Sequence, residues 1–356
     1  MKNIKTQGFI LLDVDVVALN NAGKSTTSNF DNAVATKQIY KNGKRYVYVS
    51  GQAWRYWWRE ALQKNLGWNL SPVIRENKIA FTNANPVEFA DDDVFGYMRA
   101  ASEEVTDDKG KKKSVNITVT RISPLKNSAV VSIVPTTPVE NWSSMSRQEG
   151  DAVPYGKQEY SAIMKGMFSL DLNMVGTFSN YNRTGYVNLS EKLKKEALEN
   201  GCVEIDDAYI KNEKGNPAKL VQLDKDSRIK RIMDTLQALK YIAGGAMQTC
   251  NMGDVTPKFI ILATTNTGNH PFSAVIKTVG DKDETATLNI DGLREIINDY
   301  RETFEGKIFI GKRSGFFDDS NDKLVELCEE FKDLIVLYPV NETIERYCEQ
   351  VKNQIE

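Results

Sequence analysis

Ser50-Gly51-Gln52-Ala53-Trp54-Arg55-Tyr56-Trp57-Trp58-Arg59-Glu60 puts a capping residue, two arginines and three tryptophans into one turn-and-helix unit. On a helical wheel Trp54, Trp57, Trp58, Ala61 and Leu62 fall on one side, while Gln52, Arg55, Tyr56, Arg59 and Gln63 fall opposite. The first side reads as core and the second as a cationic, hydrogen-bonding surface. Ser50 suits an N-cap, and Gly51 lets a ligand approach the unpaired N–H groups of the first turn, where the helix dipole favours an anion such as a phosphate. A buried helix with a solvated basic back has the same pattern, so the rest of the chain has to decide.

Upstream, Gly8–Leu19 (GFILLDVDVVAL) reads as the first strand, and a polar loop runs from Asn20 to Ala35. A hairpin then joins Thr36–Tyr40 to Arg45–Val49 through Lys41-Asn42-Gly43-Lys44, in which Asn-Gly favours a type I′ turn. Downstream, an acidic turn, Asp91–Gly96, leads into Tyr97–Ala100, and Asp107–Lys113 reads as a basic loop tip. Strands are expected at Val115–Ile122, Ser128–Val134 and Ser161–Phe178. Pro135–Tyr160 is too polar for a core element and too long for a simple turn, so it reads as an inserted hairpin or arm. Helix periodicity runs over Arg228–Gly244 through Ile229, Ile232, Leu236 and Leu239, with a stop at Gly244-Gly245. Pro257–Ala263 reads as a buried strand. The tail alternates helix and strand over Asp291–Phe304, Lys307–Gly311, Asn321–Phe331, Leu334–Tyr338 and Asn341–Ile355. The pattern predicts the α+β class with a ferredoxin-like (RRM-type) core.

With 356 residues, 41% of them hydrophobic, the chain has enough apolar surface for one elaborated domain or two ordinary ones. No run approaches the roughly 18 apolar residues needed to span a bilayer. The most apolar early stretch is broken by Asp13 and Asp15. No membrane association and a cytoplasmic location are therefore expected. Cys202, Cys250, Cys328 and Cys348 lack metal-ligand spacing and read as isolated, reduced, buried thiols. The net charge is only −2, but residues 281–356 hold 10 basic and 19 acidic side chains, leaving +7 on residues 1–280. Within 37–64 there are seven Lys/Arg against Glu60 alone. Such an uneven field can present a basic stripe to a polyanion, and it also suits head-to-tail stacking.

Catalytic chemistry finds little to work with. Ala18–Ser25 (ALNNAGKS) matches a relaxed phosphate loop, but its first glycine is Ala18 and no helix period follows Lys24-Ser25. If that loop orders around a nucleic-acid backbone instead, Asn20, Asn21 and Lys24 are its contacts. Asp13/Asp15 and Asp91/Asp92/Asp93 have the oxygen ligands for a divalent metal, though turns and helix caps use the same residues. His270 is the single histidine, and it precedes Pro271. Gly244–Thr249 (GGAMQT) is either a C-cap or a place where a nucleic-acid strand lies against the backbone, and Arg121-Ile122-Ser123-Pro124 is equally ambiguous. No catalytic residue, metal ligand or cofactor is assigned.

Taken in order, Ser50–Arg55 (SGQAWR), Asp93–Arg99 (DVFGYMR), Arg121–Leu125 (RISPL), Val131–Val134 (VSIV) before a long arm, Phe168–Leu172 (FSLDL) and Gly244–Gln248 (GGAMQ) form a recognisable set. Over about Ile4–Phe272 the chain resembles the backbone-forming subunit (the "Cas seven" group) of type I CRISPR surveillance (Cascade) complexes, more narrowly the DevR branch of subtype I-B. The resemblance implies a right-hand shape over the whole of 1–356. An RRM/ferredoxin-like palm would carry inserted fingers at about 60–120 and a thumb hairpin at about 135–162, with 281–356 as an acidic C-terminal α/β part. It implies a non-catalytic, multi-copy, helically polymerising protein of antiviral defence that holds CRISPR RNA for pairing with target DNA beside other Cascade subunits. The guide contacts it implies are Asn20, Asn21, Lys37, Ser50, Gly51, Gln52, Arg55, Arg59, Arg121, Ser123, Gly244, Gly245 and Gln248, with Trp142 or Met145 wedging between bases. A metal-dependent ribonuclease of the type III backbone kind and a stand-alone RRM-like regulator are the alternatives.

Overall fold

The apolar stretch after the N-terminus forms the axis of the molecule in the computed structural model, which describes residues 3–26, 28, 31–76, 78–106, 112–147, 149–181, 183, 185–280, 282 and 284–355. Lys5–Val17 is a strand buried on both faces as far as Leu12, after which Asp13 and Asp15 emerge. Val153–Asp171 pairs antiparallel along one edge, from Lys5↔Asp171 to Val14↔Ala162. Phe259–Thr265 pairs antiparallel along the other, from Lys5↔Thr265 to Leu11↔Phe259.

The large sheet runs in the order Ile335–Tyr338, Ile308–Lys312, Phe259–Thr265, Lys5–Val17, Val153–Asp171, Val130–Ser132, Lys44–Val49 and Gln38–Lys41. Asn42 and Gly43 have φ of 49° and 73°, the left-handed pair that the Asn-Gly turn requires.

One face of this sheet carries three helices, Gly51–Leu66, Lys225–Gln237 and Val340–Gln354. Their apolar sides meet Ile10, Leu12, Val14, Met164, Phe168, Ile260 and Leu262 in one core. Trp58 packs edge-on to Phe168 at 5.2 Å, and Trp54 meets the same ring at 6.4 Å. The wheel assignment of Trp54, Trp57, Trp58, Ala61 and Leu62 to the buried side holds. On the other face, Ile290–Asp299 and Asn321–Glu330 cover Phe9, Leu11, Phe259, Ile261 and Ile310. That cover stops partway across: Tyr48, Val131, Ile163 and Lys165 on the far strands are only half-buried.

Insertions leave the core at several points. Tyr97–Thr106 and Lys112–Arg121 form a hairpin paired from Tyr97↔Arg121 to Thr106↔Lys112. The basic tip expected at Asp107–Lys113 lies, over 107–111, outside the described residues. Val139–Met145 pairs with the start of the long strand, Val153–Glu159, where an inserted arm was expected. Thr177–Ser179, Pro217–Gln222 and Val203–Lys211 form a separate sheet beside the helix Glu191–Glu199. The sequence reading assigned nothing over 179–227, because Val203–Lys211 (VEIDDAYIK) is mostly exposed and its charges break the alternation.

Other boundaries move for identifiable reasons. The helix expected over Arg228–Gly244 is Lys225–Gln237, capped by Asp224 accepting from Ser227 N, and a short 3-10 turn follows at Ala238–Lys240. The expected Ser161–Phe178 strand starts earlier and ends at Asp171, where a turn intervenes before Thr177–Ser179. Of the expected Ser128–Val134 strand only Val130–Ser132 forms, and a separate short strand, Leu125–Asn127, precedes it. Cys202 and Cys348 are buried as expected, whereas Cys328 is half-buried and Cys250 is exposed. No helix among the described residues is long and apolar enough to cross a membrane.

Candidate nucleic-acid interface

The helix begins as its sequence predicts. Ser50 has an extended backbone (φ −63°, ψ 149°), and its hydroxyl accepts from Ala53 N at 3.3 Å. The N–H groups of Gly51 and Gln52 precede the first intrahelical bond, from Trp54 N to Ser50 O, and point out of the positive end of the helix. Asn20 fastens the preceding loop here, its Oδ1 accepting from Ser50 N at 3.0 Å and its carbonyl from Lys37 N at 2.8 Å. Lys37 in turn accepts from Tyr48 N at 3.1 Å. Asn21 and Gln52 are exposed, and Lys37 is half-buried.

A second segment closes on the same point. Ala246 N donates to Ala18 O and Leu19 O at 3.0 and 3.2 Å, which pins the Gly244–Gly253 loop to the end of the first strand. Gly245 has φ +116°, and a Cβ there would come 2.8 Å from Leu19 Cδ2. Gln248 Nε2 donates to Gly244 O and, at 3.3 Å, to Gly253 O. Asn20, Asn21, Lys37, Ser50, Gly51, Gln52, Gly245 and Gln248 therefore converge at one end of the tryptophan helix. Gly244 belongs to the same loop for a different reason: the Trp57 ring occupies the space a side chain would fill. The expected C-cap is thus absent, and the absence of a side chain at 244 serves packing of the helix.

The arginines correct the sequence reading. Arg55 turns against the protein: Nη1 donates to Leu125 O and Asn127 Oδ1 at 2.7 and 3.0 Å, and Nη2 donates to Phe95 O and Ser123 Oγ at 2.6 and 3.0 Å. Burial, and then the neighbouring Arg59 charge, pull its pKa down to about 10. Its four bonds tie the helix to the 95–127 segment, so they are not available to a phosphate. Ser123 is spent in the same joint, donating to Val94 O at 2.9 Å. Arg59 also meets the Phe95 ring, 4.5 Å from its centroid, with Nε 4.0 Å from Asp91 Oδ2. Its side chain is 31% exposed. Burial lowers its pKa, partly offset by Asp91 and Asp92.

Arg121 is fully buried. It pairs with Asp93 and donates to Met174 O and Thr177 O at 2.7 and 3.0 Å. Arg231 holds the second Asp93 oxygen at 2.7 Å. Arg121 is therefore a structural cation, withdrawn from the expected set of guide contacts. The same network answers the metal-site alternative at 91–93. Asp91 accepts from Ser71 N at 2.9 Å, Asp92 from Asn85 N at 3.0 Å, and Asp93 from two arginines and Gly176 N. The triplet is an internal anchor, invisible in sequence because its partners lie as far away as Arg231.

Trp142 and Met145 lie on the Val139–Met145 hairpin, 67% and 56% exposed. Asp15 accepts from Ser161 Oγ at 2.6 Å, beside the exposed Asp13. Sequence reasoning missed Asn127, which donates to Gly51 O at 3.1 Å and receives Arg55. Its signal is a lone amide in a short strand, which nothing in the sequence distinguishes.

The family model for the CRISPR-associated negative auto-regulator DevR/Csa2 matches residues 11–286. A search of curated proteins finds no match. Among solved structures, a chain described as "CRISPR RNA-guided surveillance complex" is similar with TM-score 0.50 and 10% identity, covering 98% of this chain and 99% of that one. Another, "CRISPR RNA-guided surveillance complex, pre-nicking", has TM-score 0.49 and 9% identity over 97% and 99%. The first likeness extends to the whole mixed α+β architecture, and the family match spans both the capped helix start and the Gly244–Gln248 loop that meets it: the chain belongs to the CRISPR-associated DevR/Csa2 family.

Proposed function

We propose that this protein is a non-catalytic, multi-copy backbone subunit of a type I-B CRISPR surveillance complex. It holds the CRISPR RNA guide for pairing with target DNA and polymerises helically beside other Cascade subunits. The observation that carries this reading is the meeting of 18–21, 50–52 and 244–248 at the positive end of one helix. Backbone N–H groups, amides and Lys37 neutralise and position a phosphate chain there while leaving its bases free, which is what sequence-independent guide binding demands.

An RRM/ferredoxin-like palm is supported by the course of the chain. Strand Lys5–Val17, helix Gly51–Leu66, strands Val130–Ser132 and Val153–Asp171, helix Lys225–Gln237 and strand Phe259–Thr265 follow one another. In the sheet those strands lie in the order fourth, first, third, second. The fingers then correspond to the insertions within 60–120 and the thumb to the Val139–Met145 hairpin within 135–162, with Trp142 or Met145 as the base wedge. Arg59, whose side chain stays partly exposed, takes the contact that Arg55 does not.

Charge reversal tests the site. The double variant Lys37→Glu/Gln52→Glu is expected to purify folded but with most of its RNA lost. An unchanged RNA load sinks the placement. A lone RNA-binding regulator is the second reading, favoured by the family's description as an auto-regulator. Native mass separates the two, since a regulator acting alone gives one protomer per RNA.

A further inference from the structure

Lys5, Lys157, Lys240, Lys258 and Lys312, all with largely buried side chains, each reach a carboxylate. Lys165 does not. The register sets it in a row across four strands, Leu11–Lys165–Val131–Tyr48. Met164 and Phe168 on the same strand enter the core beneath the tryptophan helix, so alternation sends Lys165 out of the other face. The C-terminal helices cover only the Phe259 side of that face, which leaves Lys165 and Tyr48 half-buried.

Lys41 approaches from the Lys41–Lys44 hairpin, its ammonium 5.1 Å from the ring centroid of Tyr46, two residues along from Tyr48. Burial first, and then the Lys41 charge, lower the pKa of Lys165. Among the described residues neither lysine has a carboxylate partner. Lys165 is half-buried while Lys41 is exposed; a partly desolvated cation that also feels a second positive charge is costly, and a bound anion relieves that cost. Asp13, paired with Ile163 one step along the strand, ends the basic patch on that side.

We propose that this half of the sheet, left uncovered by the C-terminal helices, is a second phosphate-binding surface, where Lys41 and Lys165 hold the backbone of a single nucleic-acid strand beside Tyr48. It lies on the opposite face of the sheet from the tryptophan helix, and it rests on the guide-binding reading in that both require a nucleic-acid partner.

The test is binding of a single-stranded RNA oligonucleotide to nucleic-acid-free protein across a salt series, for wild type, Lys41→Gln/Lys165→Gln and Lys165→Arg. Each phosphate contact on a single strand contributes about 0.7 to the slope of log affinity against log salt. The double variant is expected to lose about 1.4 of slope, so its affinity falls about sevenfold less than wild type between 50 and 200 mM salt. Lys165→Arg should keep the wild-type slope. A double variant with the wild-type slope overturns this site and leaves the helix-end site standing, whereas wild type that binds no RNA overturns both. If the glutamine variant does not fold, lysine acylation of wild type decides. Protection of Lys41 and Lys165 by RNA supports the proposal, and unchanged reactivity overturns it.

Discussion

At the residue scale, the most instructive side chain is Arg55, whose type and wheel position point to a ligand and whose partners make it a joint. Its guanidinium supplies hydrogen bonds to the Phe95 and Leu125 carbonyls, and leaving such acceptors unpaired costs about 1–3 kcal/mol per group. Arg55→Ala is therefore expected to lower unfolding free energy by about 2–3 kcal/mol in a denaturant titration, with RNA binding per folded molecule little changed. Gly244→Ala forces a methyl into the space of the Trp57 ring and should cost about 1–3 kcal/mol in the same titration, the usual range for overpacking. The tryptophans were legible because a helix has one period and a wide aromatic face admits one direction. The arginines were not, because a cation at the same period satisfies itself equally well with carbonyls or with phosphates. The choice depends on Phe95, Ser123 and Leu125, which arrive from 40 to 70 residues away.

At the element scale, the sequence placed the arm between 135 and 160 but could not show that it shares a strand with the core. The first residues of Val153–Asp171 pair with Val139–Met145, and the remainder pair with Lys5–Val17. The base of that arm is held by Glu159, which accepts from Lys157 at 2.7 Å and from Asn141 at 3.2 Å. Burial alone would raise the Glu159 pKa, but the bonds from Lys157 and Asn141 outweigh it, so the net shift is downward from 4.5. A carboxylate with a depressed folded pKa stabilises fully above its unfolded value and loses that contribution as pH falls through the folded one. Amide exchange across 139–159, taken relative to the intrinsic rate at each pH and followed downward from neutral, should accelerate only once pH passes below about 4.5, and Glu159→Gln should flatten that dependence. Acceleration beginning near pH 6 would assign the change to another group.

At the scale of the whole molecule, charge is polarised along the chain, −9 on residues 281–356 against +7 on the rest. Opposed patches on one protomer favour heterologous, head-to-tail contacts, which propagate instead of closing. Self-association measured by sedimentation is expected to weaken steeply as salt rises from about 50 to 500 mM, since the Debye length contracts from roughly 14 to 4 Å over that range. Insensitivity to salt would mean that apolar contacts hold successive copies. The fold class was readable from strand and helix periods at this scale. The small sheet at 177–222 was not, because its exposed strands are stabilised by neighbours and carry little alternation of their own.

The unbroken course of Val153–Asp171 has a mechanical corollary. With 19 residues at about 3.3 Å each, it is a beam of roughly 60 Å, anchored by its central rungs and cantilevered at one end. The overhang and the anchored part are one strand. A load on the tip is therefore transmitted straight into the ladder beside Lys5–Val17, and whatever grips the arm also reads the stiffness of the core.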